Sequence, residues 1–298
     1  MGFLGPIKDA LAEVPSTFDV LHDTHPEDKT LPPFMVSTTR GFLPRAHPVV
    51  SLPSEFDHLT SILERMPLVT ADGSRGLLMD GKLGDTVLAE LPDLSSAVEK
   101  YAEDIPLQNA LYRDYSFLAS AYLLEPCHLR FMEGKEYGLG RETLPRQISM
   151  PLSICAKISG FKPFMEYAGS YALYNYRLED PSAGMDYDNL RLIRAFEKGL
   201  DPKSSEAGFV LVHVEMVKHS GGLVEGALKA LEGCQNRDRE AFEEGMGQVV
   251  GAMKKVNGVM ERTSPSSHLM DTEADINQAC GQNPSPTNTP PSAPSSWA

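Results

Sequence analysis

Phe242, Met246, Val249, Met253, Val256 and Met260 recur at spacings of 4, 3, 4, 3 and 4. That 3.5-residue period predicts a helix with an apolar seam, and a seam of this kind is buried against a partner helix. Asp238 is placed to cap the helix. The link Gly233-Cys-Gln-Asn-Arg-Asp238 is short, so the helix before it is predicted to run antiparallel. Met246, Met253 and Met260 read as core rather than as cofactor ligands, because the flexible thioether fills gaps between helices.

The rest of the chain repeats the helical theme. Ser54 opens an N-capped amphipathic helix carrying Leu59, Ile62, Leu63 and Met66, which ends before Pro67. Residues 106–124 are predicted to form a long buried helix, with Leu107, Leu111, Leu118 and Tyr122 on one face and Pro126 as its stop. A loop over 133–151 and a helix over about 151–160 follow. Pro163 then opens an aromatic helix, Phe164–Tyr176, and Asp186–Lys198 reads as a shorter helix closed by Gly199. The run Phe209–Val217 is apolar on nearly all sides, so periodicity does not separate strand from helix. Helix is preferred because Leu223, Val224, Ala227, Leu228 and Leu231 continue the pattern, with a break at Gly221-Gly222. Prolines 32, 33, 44, 48 and 53 make the first 55 residues an extended arm wrapped over other elements. The fold class is all-α.

Composition narrows the partners. The net charge of −14 argues against nucleic acid and anionic membrane surfaces, which recruit Lys and Arg. No run approaches the roughly 18 apolar residues that span a bilayer, and the N-terminus does not read as a secretory signal. Cys127, Cys155, Cys234 and Cys280 show no CxxC pair, so a reduced, cytoplasmic protein is expected. Residues 263–298 hold 6 Pro and 7 Ser, with an isolated Trp297, and are predicted to be a disordered tail.

Few residues carry a chemical signature. The Gly-rich segment 68–86 matches no phosphate loop, and GxSxG and HExxH motifs are missing. His22, His25, His47, His58 and His128 sit in polar or turn-like settings, and His268 lies in the tail. His213 stands in an apolar stretch, where an imidazole must find a partner or a ligand. It reads either as a core histidine bonded to a neighbouring helix or as a functional group. His219 lies about 240° further round a helix, so the two do not form an i, i+4 metal pair. An aromatic helix beside a buried histidine suits a pocket for a flat, apolar ligand.

Several runs resemble the indoleamine 2,3-dioxygenase family of haem-dependent tryptophan dioxygenases. They are Val36-Ser-Thr-Thr-Arg-Gly-Phe-Leu-Pro44, Leu52-Pro-Ser-Glu-Phe56, Leu144-Pro-Arg-Gln-Ile-Ser-Met-Pro-Leu152, Pro163-Phe-Met-Glu-Tyr-Ala168 with Tyr174-Asn-Tyr176, and Gly208-Phe-Val-Leu-Val-His-Val-Glu215. The resemblance covers most of 36–262. It implies an arm over 1–35, a small helical domain over 36–160, part of a large helical haem domain over 161–262, and the tail over 263–298.

The resemblance also implies an activity: insertion of dioxygen across the indole C2–C3 bond of L-tryptophan, or of a related indoleamine, giving N-formylkynurenine in tryptophan catabolism. By residue, Tyr167 matches an aromatic lining the indole pocket, with Ser170 and Tyr171 bordering it. Phe209 matches the aromatic that packs on the indole, and His213 the distal polar position. The family's iron-ligating histidine, its substrate-clasping arginine and its Gly-rich closing loop have no counterpart in 263–298, where His268 stands in a Ser/Pro-rich context. The expectation is therefore a family member shortened after about Arg262. Such a chain is either a dioxygenase by descent, active only with the remaining parts, or a non-catalytic helical binding protein. In both cases the Phe242–Met260 seam is expected to be exposed.

Overall fold

The computed structural model describes residues 20–136, 138–198 and 200–263. The predicted tail beyond Thr263, with His268, Cys280 and Trp297, lies outside them, as do the first part of the arm and the expected cap Gly199. From residue 20 to Pro53 the chain runs without helices, as its prolines dictate. Its organiser is Arg45, which is buried. The Arg45 guanidinium donates to the carbonyls of Thr24, His25, Asp28, Leu31 and Pro32 at 2.6–3.1 Å. One side chain thus satisfies carbonyls that a helix or sheet would otherwise pair.

A single 3-10 turn, Ser54–Phe56, leads into α1 (Asp57–Arg65). Ser54 lies inside that turn and makes no side-chain cap, contrary to expectation. The Gly-rich segment contains α2 (Leu77–Asp80) and the start of α3 (Leu83–Glu90), and α4 (Ser95–Lys100) follows. The long helix α5 (Ile105–Met132) is capped by Asp104, whose carboxylate accepts from the Leu107 N–H at 3.1 Å.

Pro126 does not end α5; the helix continues through it. Proline lacks the N–H that would bond the Tyr122 carbonyl. Arg141 repairs the ladder: its guanidinium donates to the Tyr122 carbonyl, and its backbone N–H donates to the Leu123 carbonyl at 2.8 Å. The same guanidinium pairs with the buried carboxylate of Glu125 at 2.6 Å, and Glu125 also accepts from the N–H groups of Leu83 and Gly84. Helix α6 (Arg146–Ser159) starts before Pro151 rather than at it, and ends at Gly160 in the left-handed conformation, φ +80°. Helices α1 to α6 share one apolar core that includes Phe56, Ile62, Leu111, Phe117, Leu118 and Ile148.

The two helices expected between 164 and 198 are replaced by irregular structure and a two-stranded ribbon. Two short helical turns remain, Tyr167–Tyr171 of π type and Tyr187–Asn189 of 3-10 type. The carbonyls that would continue a helix are taken by α5: Tyr112 Oη donates to the Phe164 carbonyl at 2.6 Å, and Asn109 Nδ2 to the Gly169 carbonyl at 3.1 Å. Strand β1 (Tyr176–Leu178) pairs antiparallel with β2 (Leu190–Leu192). The alternation Leu190-Arg-Leu192, with both leucines buried, is a strand signal inside a segment read as helical. Buried Asn175 ties the ribbon down: Nδ2 donates to the Tyr171 and Arg194 carbonyls, and Oδ1 accepts from the Arg194 N–H at 2.8 Å.

Helix α7 (Ser205–Val217) is capped by Ser204, whose hydroxyl accepts from the Ala207 N–H. Helix α8 (Ser220–Asn236) and α9 (Arg239–Thr263) form the expected antiparallel pair, and Asp238 caps α9 through the Ala241 N–H. The break between α7 and α8 falls just before Gly221 rather than at it. That glycine packs on the Thr38 and Thr39 carbonyls at distances no Cβ would tolerate.

The seam on α9 is not buried against α8. A stripe of small residues makes that contact: a Cβ on Gly245 would lie 2.5 Å from the Ala230 nitrogen and 2.7 Å from the Gly226 carbonyl oxygen. Ala252 and Val259 are buried, whereas Phe242, Met246, Met253 and Met260 are exposed, Met253 by 55%. Close backbone approach along glycine outcompetes the larger side chains and turns them outward.

Candidate functional site

The site begins with α7. Ala207, Val210, Leu211 and Val214 face the core. Phe209 and His213, four residues apart, therefore share the opposite face. His213 is only half-buried, not a core histidine. Its Nδ1 lies 2.5 Å from the Phe209 carbonyl of its own helix, not from a neighbouring one. A carbonyl oxygen only accepts, so Nδ1 carries the proton there, and Nε2 of the neutral ring is left as an acceptor.

The π turn brings Tyr167 to the same place. Its ring stands edge-on to Phe209 (centroids 6.3 Å, 76°) and to His213 (5.8 Å, 81°), and the Phe209 and His213 rings lie 4.7 Å apart. Tyr167 is 44% exposed and Phe209 45%, so this trio is an open face. Behind it lies an inner tier, in which Tyr171 stacks with Phe117 at 5.9 Å and with Phe196 at 6.3 Å. Burial raises the pKa of both Tyr167 and Tyr171, keeping the phenols neutral. Ser170 is fully buried and donates to the Glu166 carbonyl at 2.7 Å, so its hydroxyl is already committed. Of the five residues singled out, Tyr167, Phe209 and His213 meet directly, Tyr171 supports them, and Ser170 braces the turn.

One buried carboxyl near this face was not legible beforehand. Glu206 accepts from the Phe196 N–H at 2.8 and 3.1 Å and from the Glu197 N–H at 2.9 Å, and it interacts with Tyr171. Burial, with help from Glu197, pushes its pKa up to about 7 against the opposing N–H donors. Its only sequence signal is an acid in the first turn of a Ser-capped helix.

A family model described as indoleamine 2,3-dioxygenase matches residues 30–269. The chain belongs to the indoleamine 2,3-dioxygenase family. It is 21% identical over 216 residues to indoleamine 2,3-dioxygenase 1 of Mus musculus, covering 72% of this chain and 47% of that protein. With indoleamine 2,3-dioxygenase 1 of Rattus norvegicus it is 22% identical over 122 residues, 41% of this chain and 29% of the relative. The chain thus spans about half the length of the mouse relative or less.

Haem is the cofactor this family implies. The partly exposed rings, set edge-on and tilted to one another, offer an apolar surface for contact with a planar ligand. Among the described residues, no group of three His, Cys, Asp or Glu side chains is placed to hold a free metal ion; haem iron asks for a single axial side chain instead, and the imidazole on this face has Nδ1 against the Phe209 carbonyl and Nε2 uncommitted. The described residues thus offer a partly exposed aromatic face with one imidazole on it. Among them, no helix is long and apolar enough to cross a membrane.

Proposed function

We propose that the Tyr167–Phe209–His213 face is the substrate wall of a haem-dependent, cytoplasmic dioxygenase that converts L-tryptophan, or a related indoleamine, and dioxygen to N-formylkynurenine. The observation that carries this reading is the convergence of these three rings on one open face of α7 and the π turn. In this reading Phe209 packs on the indole plane, and Tyr167 meets the ring edge, an arrangement favoured by aromatic quadrupoles. His213 Nε2 accepts the indole N–H, fixing the ring's rotation. Ser170 and Tyr171 hold the turn that carries Tyr167. Residues 36–160 form the small domain and 161–262 part of the large one. The complete activity belongs to a pocket in which this wall faces an iron-ligating one.

A second reading, a helical binding protein without catalysis, is favoured by the exposed apolar seam of α9. Hemin titration of the purified chain separates the two. The dioxygenase reading expects a saturable Soret band that weakens in Phe209→Ala. A spectrum identical to free hemin contradicts it and leaves the binding protein.

A further inference from the structure

A cavity of about 290 Å³ opens between α1 and the segment leaving β2, away from the aromatic face. One wall is the Asp57, Thr60 and Glu64 side of α1. Spacings of three and four residues put these three on one helical face. The facing wall carries Arg177 and Arg194, and apolar side chains including Leu63, Pro67 and Ile193 complete the lining.

The two arginines are neutralised unequally. Asp114, fully buried, lies between two guanidiniums: it accepts from Arg113 Nε at 2.8 Å and from Arg194 Nε and Nη2 at 3.0 and 2.7 Å. Burial alone would raise its pKa, but the two cations outweigh that and hold it ionised. Glu64, on the cavity wall, is near enough to raise the Arg194 pKa as well, so Arg194 is drawn to both carboxylates. Arg194 Nη1 has no hydrogen-bond partner among the described residues, and Arg194 is only 9% exposed.

Arg177 adds a second cation. It sits directly across from Arg191 in the ribbon, a like-charge pair that costs stability. Arg191 is neutralised by Glu179. Arg177 has no ion-pair partner among the described residues. On the other wall, Asp57 and Glu64 likewise have none. Arg177, without an ion pair, and Arg194, with one guanidinium nitrogen free of hydrogen bonds, thus share a partly apolar cavity with the carboxylates of Asp57 and Glu64.

We propose that this cavity binds a small zwitterion, a free α-amino acid with an apolar side chain. The carboxylate lies toward Arg177 and Arg194, the ammonium toward Asp57 and Glu64, and the side chain against Leu63, Pro67 and Ile193. Charge-assisted hydrogen bonds at both ends give the selectivity. The site shares no residue with the aromatic face.

Saturation-transfer NMR and calorimetry on the full chain test this, with L-leucine, its methyl ester and N-acetyl-L-leucine as probes. L-leucine is expected to bind saturably. Each analogue, lacking one charge, is expected to bind at least roughly tenfold more weakly, and so is L-leucine to Arg177→Gln or Glu64→Gln. Phe209→Ala is expected to leave binding unchanged. No saturable L-leucine binding, equal binding of either analogue to the wild type, or unchanged binding to both cavity variants would overturn the proposal.

Discussion

The ring of Tyr167 stands edge-on to the imidazole of His213, with centroids 5.8 Å apart and planes at 81°. One ring comes from a π turn held by α5, the other from α7. Their meeting, with Phe209 between them in sequence, is what gives this chain an aromatic face rather than scattered aromatics.

Phe209→Ala is expected to cost little stability, about 1 kcal/mol or less, because the ring is 45% exposed. A large loss of ligand binding without a shift in Tm is the signature of a residue that faces a ligand. Chemical denaturation beside hemin titration checks this, and unfolding of the variant would assign Phe209 to the core instead.

Glu206 gives a signed pH prediction. Its pKa is raised from 4.5 to about 7, so the folded state binds more protons than the unfolded state between those values. Stability from this group is complete below about 4.5 and is lost as pH rises through 7, by on the order of 2–3 kcal/mol. His47 and His128, whose pKa values burial lowers, act with the opposite sign nearby. The test is therefore a difference: the Tm of the wild type relative to Glu206→Gln should fall between pH 5 and 8. A constant difference contradicts the assignment.

Arg141→Ala should destabilise by about 2–4 kcal/mol, since it leaves the buried Glu125 carboxylate without its cation and the Tyr122 carbonyl at Pro126 without a donor. Urea denaturation measures it. A change below about 0.5 kcal/mol would show that the proline-bearing turn of α5 does not depend on Arg141.

The exposed seam predicts association. Phe242, Met246, Val250, Met253 and Met260 are exposed along one helix, a patch of the kind that drives self-association. Size-exclusion chromatography should show concentration-dependent oligomers that Met246→Lys with Met253→Lys disperses. A clean monomer at all concentrations contradicts this.

What the sequence disclosed follows from where its signals are strong. Helices with marked apolar periodicity, α1, α5 and α9, were visible, and α7 reads as helix from the pattern that continues beyond it. The surfaces through which they pack were not: α8 is the expected antiparallel partner of α9, but their contact runs through Gly226, Gly245 and Ala230, and small residues leave no periodic mark. The segment 164–198 failed because Asn109 and Tyr112 on distant α5 claim its carbonyls. Propensity read within a window contains nothing about such donors. Likewise His213 stood in an apolar run but on its unburied side. Glu206 was missed because its role depends on backbone N–H groups at 196 and 197, which only the fold brings near.

The central claim concerns the Tyr167–Phe209–His213 face, and L-tryptophan binding to the hemin-loaded chain tests it most directly. Purified chain is titrated with hemin and then with L-tryptophan, and the Soret band is followed. The account predicts a saturable tryptophan-dependent shift, weakened at least roughly tenfold in Phe209→Ala and in His213→Phe, which removes the Nε2 acceptor. No tryptophan-dependent shift in the wild type, or an equal one in these variants, contradicts it.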